Sequence, residues 1–211
     1  MAAESDTGKA PPIAVAGILL AAGKGRRFDP EGIHNKLLQP LPGGEPVVAL
    51  AAKNLCSVIP RVLAIVRPGG DDVADCLRRL GYQVGECPTA DDGMAASLVH
   101  GLSLVSDADG WIIALGDMPN VQPATIAALV DALADGADIA VPVFGGRRGN
   151  PVAFSRRHLP RLLALTGDKG ARDLLRDYPV VEISREDPGI HDDIDTRADI
   201  ARRHTVMRSA S

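Results

Sequence analysis

At 211 residues, 45% of them hydrophobic, the chain is long enough to bury a sizeable core and fits a single domain without disulfide staples. A formal charge of -4 and a sequence pI of about 5.7 exclude a broadly basic binder, so neither nucleic acid nor a membrane surface is expected as a partner. The cysteines Cys56, Cys76 and Cys87 lack metal-ligand spacing and sit in or beside apolar segments, which predicts core thiols in a reduced, cytoplasmic protein.

Residues 1–11 are small, polar and aperiodic and predict a tail; one domain is expected over 12–205, with a second short tail at 206–211. The apolar run Ile13 to Ala22 predicts a buried strand. Acidic Glu4 and Asp6 before it, and cations after it, reverse the pattern of a secretory signal. It breaks into Gly23-Lys24-Gly25-Arg26-Arg27, with Lys36 further on. Glycines free to adopt positive φ bring backbone N–H groups close to an oxyanion, and Arg26, Arg27 and Lys36 add charge, so the stretch reads as a phosphate site. A tight turn with solvated basic residues is the plainer alternative. The P-loop is excluded because Gly25 follows Gly23-Lys24 and Ile18 stands where its first glycine would fall. The dinucleotide fingerprint is disfavoured because Phe28 replaces its third glycine.

After a turn at Pro40 to Gly44, the spacing of Val47, Leu50, Ala51, Leu55 and Val58 predicts a helix, and Arg61 to Val66 a strand. Val73, Leu77 and Leu80 mark the next helix, ending at Gly81, followed by a weaker strand, Tyr82 to Cys87. A helix is expected over Gly93 to Val105 and a wholly apolar, central strand over Trp111 to Leu115, opening into Gly116-Asp117-Met118-Pro119. Then come a helix, Pro123 to Leu133, a strand, Asp138 to Phe144, a glycine-basic loop, Gly145 to Asn150, and a strand, Pro151 to Phe154. Helices at Arg157 to Leu165 and Lys169 to Arg176 lead to the strand Tyr178 to Ile183, and a short basic helix follows Asp192-Asp193-Ile194-Asp195-Thr196. This alternation predicts an α/β fold, a three-layer α/β/α sandwich around a mainly parallel (mixed) sheet. Its ligand should lie outside the C-terminal strand ends, between Gly23 and Asp117.

Asp117 leaves an apolar strand two residues before Pro119, which suits a carboxylate holding Mg²⁺ with water and substrate phosphates; a turn-forming Asp is the alternative. In an extended Asp193-Ile194-Asp195, alternation places both carboxylates on one side, able to meet Asp117; a solvated acidic terminus is the alternative. No neighbouring motif makes a triad with Ser97. Anion-binding glycines, cations and separated carboxylates suit phosphoryl-type transfer, which needs positioning and charge neutralisation more than covalent chemistry.

Seven motifs in order, Leu20-Ala21-Ala22-Gly23-Lys24-Gly25-Arg26-Arg27-Phe28, Asn35-Lys36-Leu37-Leu38, Gly93-Met94-Ala95-Ala96-Ser97-Leu98, Leu115-Gly116-Asp117-Met118-Pro119, Arg148-Gly149-Asn150-Pro151-Val152, Gly167-Asp168-Lys169-Gly170-Ala171-Arg172 and Asp193-Ile194-Asp195-Thr196, span nearly the whole chain after its N-terminal tail. The chain thereby resembles the molybdenum cofactor cytidylyltransferases, nucleotidyltransferases with a glycosyltransferase-A-like, nucleotide-diphospho-sugar-transferase-like fold. The resemblance implies transfer of CMP from CTP to the terminal phosphate of molybdenum-bound molybdopterin, with Mg²⁺ as cofactor. It implies CTP and molybdopterin as partners, and a molybdoenzyme or its maturation chaperone as a further one. Carried over by position, Leu20, Ala21, Ala22, Gly23, Gly25, Arg27, Lys36, Ser97 and Asp117 would bind the nucleotide, with Lys36, Arg27 and Asp117 catalytic. Asp117 and Asp195 would bind the metal, with Asp193 a further ligand or neighbour, while Arg148, Gly149, Asn150, Asp168 and Arg172 would face the acceptor. As plain loops, the last two motifs before Asp193 read as a strand-entry turn and a helix capped by Asp168.

The chain departs from that family in one place: Asp29-Pro30-Glu31-Gly32-Ile33-His34 lengthens the loop before Lys36, where the family has a glycine just after the Arg-Phe pair. In its guanine-using relatives the position matching Ala22 is glycine, so Ala22 implies CTP. A guanylyltransferase, a sugar-phosphate nucleotidylyltransferase and a non-catalytic maturation factor are the alternatives.

Overall fold

The apolar run near the N-terminus forms strand β1, Val15–Leu20, whose Ala16, Ile18 and Leu19 are fully buried because the sheet is covered on both faces. In this computed structural model, which describes residues 13–69, 71–168 and 170–209, the chain continues through α1 (Val47–Cys56), β2 (Val62–Val66), α2 (Asp71–Arg79), β3 (Gln83–Glu86), α3 (Met94–Leu104), β4 (Gly110–Leu115) and α4 (Pro123–Ala134). It is completed by β5 (Ile139–Phe144), β6 (Arg147–Arg148), β7 (Val152–Ser155), α5 (Leu159–Leu163), α6 (Arg172–Asp177), β8 (Val181–Ser184) and α7 (Arg197–Ser209).

One sheet runs in the order β3-β2-β1-β4-β7-β5-β6, with β8 on β5. Pairs β1–β2, β1–β4, β2–β3 and β5–β8 are parallel, and β4–β7, β5–β7 and β5–β6 antiparallel, so the sheet is mixed, with its parallel half around β1. The sequence turns back between β1 and β4: β2 and β3 build outward on one side of β1 and the later strands on the other. That is the switch point at which an open α/β sheet leaves a crevice at its strand ends.

Two apolar clusters lie on the two faces, which makes the three layers. One gathers α1, α2 and α4 with residues such as Leu55, Leu77 and Leu129; the other gathers α3 and α5 with Leu98, Leu102 and Leu162. In the second, Trp111 stands opposite Phe154 across the β4–β7 pair, and its Nε1 donates to Val105 O at 3.1 Å, so a large aromatic is buried without an orphaned donor.

Several boundaries differ from expectation. The segment expected as one helix from Arg157 is a 3-10 turn, Arg156–His158, followed by the short α5, and Tyr178 ends α6 instead of beginning β8. Helix α6 starts at Arg172 with Ala171 at its N-cap and no side-chain cap, so Asp168 does not cap it; Lys169 lies outside the described residues. Of the three thiols only Cys87 is buried; Cys56 and Cys76 are half-buried at the edge of the first cluster. The expected N-terminal tail, and residues 210 and 211 of the expected C-terminal one, lie outside the described residues, while 206–209 belong to α7. Among the described residues no helix is long and apolar enough to cross a membrane.

Candidate active site

Because Leu20 and Leu115 are register partners and Gly116 N donates to Leu20 O at 2.9 Å, the loops leaving β1 and β4 emerge side by side. They open a cavity of about 460 Å³ lined by Leu20 to Arg26, Lys36 and Leu37, the Ala90 to Ser97 region, Leu115, Asp117 and Asp168. The β1 loop is anchored before it reaches the cations: Ala21 N donates to Ile65 O at 2.8 Å, and Ala21 and Ala22 are buried.

Only one of the two expected glycines uses its conformational freedom. Gly25 has φ +61° and its carbonyl accepts from Phe28 N at 2.9 Å and Asp29 N at 3.1 Å, closing a turn no side chain would favour. Gly23 is not left-handed; a Cβ there would meet no atom within 4 Å, so what it contributes is open space at the cavity wall.

The longer loop folds inward. Asp29 is buried, and its carboxylate accepts from His34 N at 2.7 Å and Glu31 N at 3.3 Å; the His34 bond leads the effects that hold its pKa below the ordinary value. Asn35 Oδ1 then caps a 3-10 turn by accepting from Leu37 N at 3.0 Å, and buried Leu37 pins the turn. Lys36 is thus delivered to the cavity 8% exposed.

Its Nζ lies 2.6 Å from Asp117 Oδ2 and 3.1 Å from Asp195 Oδ1, and Arg27 pairs with the other oxygen of Asp195. Burial disfavours charge on Lys36, but the ion pairs with Asp117 and Asp195 outweigh it, and its pKa is raised above the ordinary lysine value. Asp117 is held by its own loop: buried Met118 and Val121 anchor it, and Asn54 Nδ2 donates to Pro119 O at 2.8 Å and Val121 O at 3.0 Å. Ile194, fully buried, donates its N–H to Asp117 O at 2.9 Å and brings Asp195 alongside. Asp193 is exposed and contributes no atom to the Lys36 cluster, because 192–195 is not a strand and alternation does not govern it.

On the opposite wall Ser97, near the start of α3, is buried and lines the cavity. Gly93 has φ +114°, and a Cβ there would fall 2.5 Å from Asp168 Oδ1, so the turn at Gly167 and Asp168 packs directly on the entry to α3; Ala95 N donates to Gly167 O at 3.0 Å. Asp168 therefore shares the cavity with Ser97 and the β1 loop. Arg148, Gly149, Asn150 and Arg172 do not line it: Arg148 pairs with Glu182 Oε1 at 2.7 Å, Asn150 N donates to Ile190 O at 3.1 Å, and Arg172 is exposed at the start of α6.

Two features of the cavity were not singled out in the sequence. Asp91 pairs with Lys24 at 3.0 Å and with Arg67, and hydrogen bonding from Lys24 leads the effects that lower its pKa. Its only sequence signal was the Asp91-Asp92 pair before Gly93. The second is a groove of about 260 Å³ on the other side of the basic loop, lined by Lys24, Gly25, Arg26, Arg27, Lys36 and Asp195, so that the loop divides two spaces and presents cations to both.

Two carboxylates converging on a single ammonium form a donor set of hard oxygens that fits a divalent cation such as Mg²⁺ or Mn²⁺. Among the described residues no group of three or more His, Cys, Asp or Glu side chains would close such a site, so water and substrate phosphates would complete it.

A glycine-cation loop and a carboxylate pair at the switch point of such a sheet are what a nucleotidyltransferase requires. The MobA-like NTP transferase domain model matches residues 17–183, and the chain belongs to that family. The purine catabolism protein PucB of Bacillus subtilis is 34% identical over 203 residues, covering 89% of this chain and 95% of its own. The bifunctional protein GlmU of Rhodospirillum rubrum is 32% identical over 147 residues, 67% of this chain, but the match spans only 31% of GlmU. Among solved structures, Rv0371c of Mycobacterium tuberculosis is 28% identical with a TM-score of 0.77, covering 91% of this chain and 97% of its own. Its manganese complex is 27% identical with a TM-score of 0.73, covering 90% and 97%.

Proposed function

We propose that this nucleotidyltransferase moves CMP from CTP to the terminal phosphate of molybdenum-bound molybdopterin, releasing pyrophosphate and forming the cytosine dinucleotide. The observation that carries the nucleotide half of this reading is the Lys36, Asp117 and Asp195 cluster beside the glycine-cation loop, at the mouth of a cavity floored by Ala21 and Ala22. The molybdopterin half rests on family membership and the ordered motifs.

In the reaction an oxygen of the acceptor phosphate attacks the α-phosphorus of CTP. A P–O–P bond forms as the bond from the α-phosphorus to the bridging oxygen breaks, and pyrophosphate leaves with that electron pair. The acceptor phosphate is already anionic, so no side-chain base is required, and catalysis is positioning plus charge neutralisation. The larger cavity would take the nucleoside and the groove across the loop the leaving pyrophosphate, with Lys24, Arg26, Arg27 and Lys36 facing its charge. Asp117 and Asp195 would hold Mg²⁺, which when bound neutralises phosphate charge as a Lewis acid. Asp168, inside the larger cavity, would sit beside the nucleoside, while the Arg148 to Asn150 turn and Arg172, which lie outside it, would face the acceptor.

Pyrophosphate release and product analysis with molybdenum-loaded molybdopterin, run across CTP, GTP, ATP and UTP, test this. Cytosine dinucleotide from CTP alone is expected. Turnover with GTP would make the protein a guanylyltransferase, turnover only with a sugar phosphate would reassign the acceptor, and binding without turnover would make it a maturation factor.

A further inference from the structure

Asp199 lies outside the cavity, in the first turn of α7, and is 9% exposed. Its Oδ2 accepts three hydrogen bonds, from Asp195 N at 3.0 Å, Thr196 N at 2.6 Å and Thr196 Oγ1 at 2.9 Å. Asp199 N donates to Thr196 O at 3.1 Å, a backbone bond across the first turn, and Oδ1 pairs with Arg202. The side-chain bond to Thr196 N is one half of a capping box, while the Thr196 hydroxyl donates to Asp199 instead of accepting from its N–H. A cap that served the helix alone would need only the bond to Thr196 N. The bond to Asp195 N reaches one residue further, outside the helix.

That extra bond completes a series. Ile194 N is taken by Asp117 O, and Asp195 N and Thr196 N by Asp199, so three consecutive N–H groups are fixed on either side of the Asp195 carboxylate. Two of those anchors connect directly to the residues that converge on Lys36. Arg197, next in the chain, lies 3.5 Å from Asp29 in the loop that delivers Lys36, so the first turn of α7 touches both segments that meet at the cluster. Paired carboxylates bind a cation tightly only when held within about 0.5 Å of the productive arrangement.

We propose that Asp199 is a positioning residue for the divalent-cation site: by fixing the backbone of Asp195 it aligns that carboxylate with Asp117. This inference rests on the metal reading of Asp117 and Asp195. The test is a Mn²⁺ titration of the full chain with saturating CTP and no acceptor, read by water-proton relaxation, for wild type, Asp199→Ala, Asp199→Asn and Asp117→Asn, with thermal unfolding alongside. Asp199→Ala should weaken Mn²⁺ binding by about 10- to 100-fold, as loss of groups that orient a ligand does elsewhere. Asp199→Asn, which retains an acceptor oxygen, should fall between, and turnover by either variant should recover at saturating Mn²⁺. Thermal destabilisation with wild-type Mn²⁺ affinity, in a series where Asp117→Asn binds weakly, would reduce Asp199 to a helix cap and overturn the proposal alone. No enhancement in wild type, or none lost in Asp117→Asn, would overturn the metal reading and this inference with it. If Asp199→Ala does not fold, Asp199→Asn decides: unchanged Mn²⁺ affinity overturns the proposal.

Discussion

Lys36 Nζ sits 2.6 Å from Asp117 Oδ2 although 81 residues separate them, and no other described ammonium is buried between two carboxylates. The pair joins the loop that leaves β1 to the loop that leaves β4. Asp117→Asn should therefore leave the fold intact, since the carboxylate is part-exposed and fills no core volume, while turnover falls by ~10² to 10⁴ through loss of electrostatic stabilisation. Steady-state rates across a Mg²⁺ series, with circular dichroism as the folding control, check this; near-wild-type activity at saturating Mg²⁺ would remove Asp117 from the metal site.

Lys36→Ala should lower kcat by ~10² or more, because the positive charge that would meet the triphosphate is gone and Asp117 and Asp195 lose their shared partner. Lys36→Arg should not rescue: the position is 8% exposed and shaped around a compact ammonium, not a planar fork. Arg27→Ala should also slow the reaction. Parallel kinetics on Lys24→Ala provide the control, and a severe Lys24 variant beside a silent Lys36 one would move the catalytic charge to Lys24.

The alternating elements made the fold class readable, since buried strands such as Val62–Val66 and Trp111 to Leu115 are apolar runs bounded by turn residues. The antiparallel placement of β7 between β4 and β5 was not, because it is fixed by pairings such as Trp111 with Phe154 and Ala140 with Ala153 rather than by local pattern. At the site, Gly25, Lys36, Ser97 and Asp117 line one cavity because the loops after β1 and β4 and the first turn of α3 open at the same end of the parallel strands, and Asp195 joins through Lys36. Asp193 misled, since alternation applies only within a strand. Asp91 was hidden: its partners Lys24 and Arg67 come from other loops, and only tertiary packing brings them together.

His158 offers a pH test away from the site. It is buried edge-on to Phe154 and Tyr178, and its Nδ1 has no partner among the described residues. Burial pushes its pKa below the ordinary 6.5; Asp138 opposes that and Arg161 adds to it. The unfolded chain therefore takes up the proton first as pH falls. The stability tied to neutral His158 is complete above about 6.5 and declines as pH drops below it towards the folded value. His158→Phe should remove that slope and raise stability by ~1 kcal/mol through loss of an unpaired buried nitrogen. Urea unfolding at about pH 7.5 and about pH 5.5 compares the two proteins; equal slopes would show that His158 does not contribute.

Base selection is expected to depend on Ala22, which is 8% exposed and lines the cavity between the anchored Ala21 and the open wall at Gly23. If the base lies against this loop, the Ala22 methyl would take up space that a purine ring would need and a pyrimidine would not. CTP should thus be preferred over GTP, and Ala22→Gly should relax the preference. One methyl shifts discrimination by only about 1 to 3 kcal/mol, so the ratio should move by roughly 10- to 100-fold without reversing completely. The strength of the test is that two ratios are compared under one acceptor: kcat/KM for CTP against GTP, in wild type and in Ala22→Gly. A wild-type preference for GTP would refute the cytidylyl assignment outright. An unchanged ratio in the variant would leave CTP preference standing and transfer its cause to other residues of the cavity, with Asp91 and Ser97 the next to substitute, since both line the same space and carry hydrogen-bonding groups a base edge could meet.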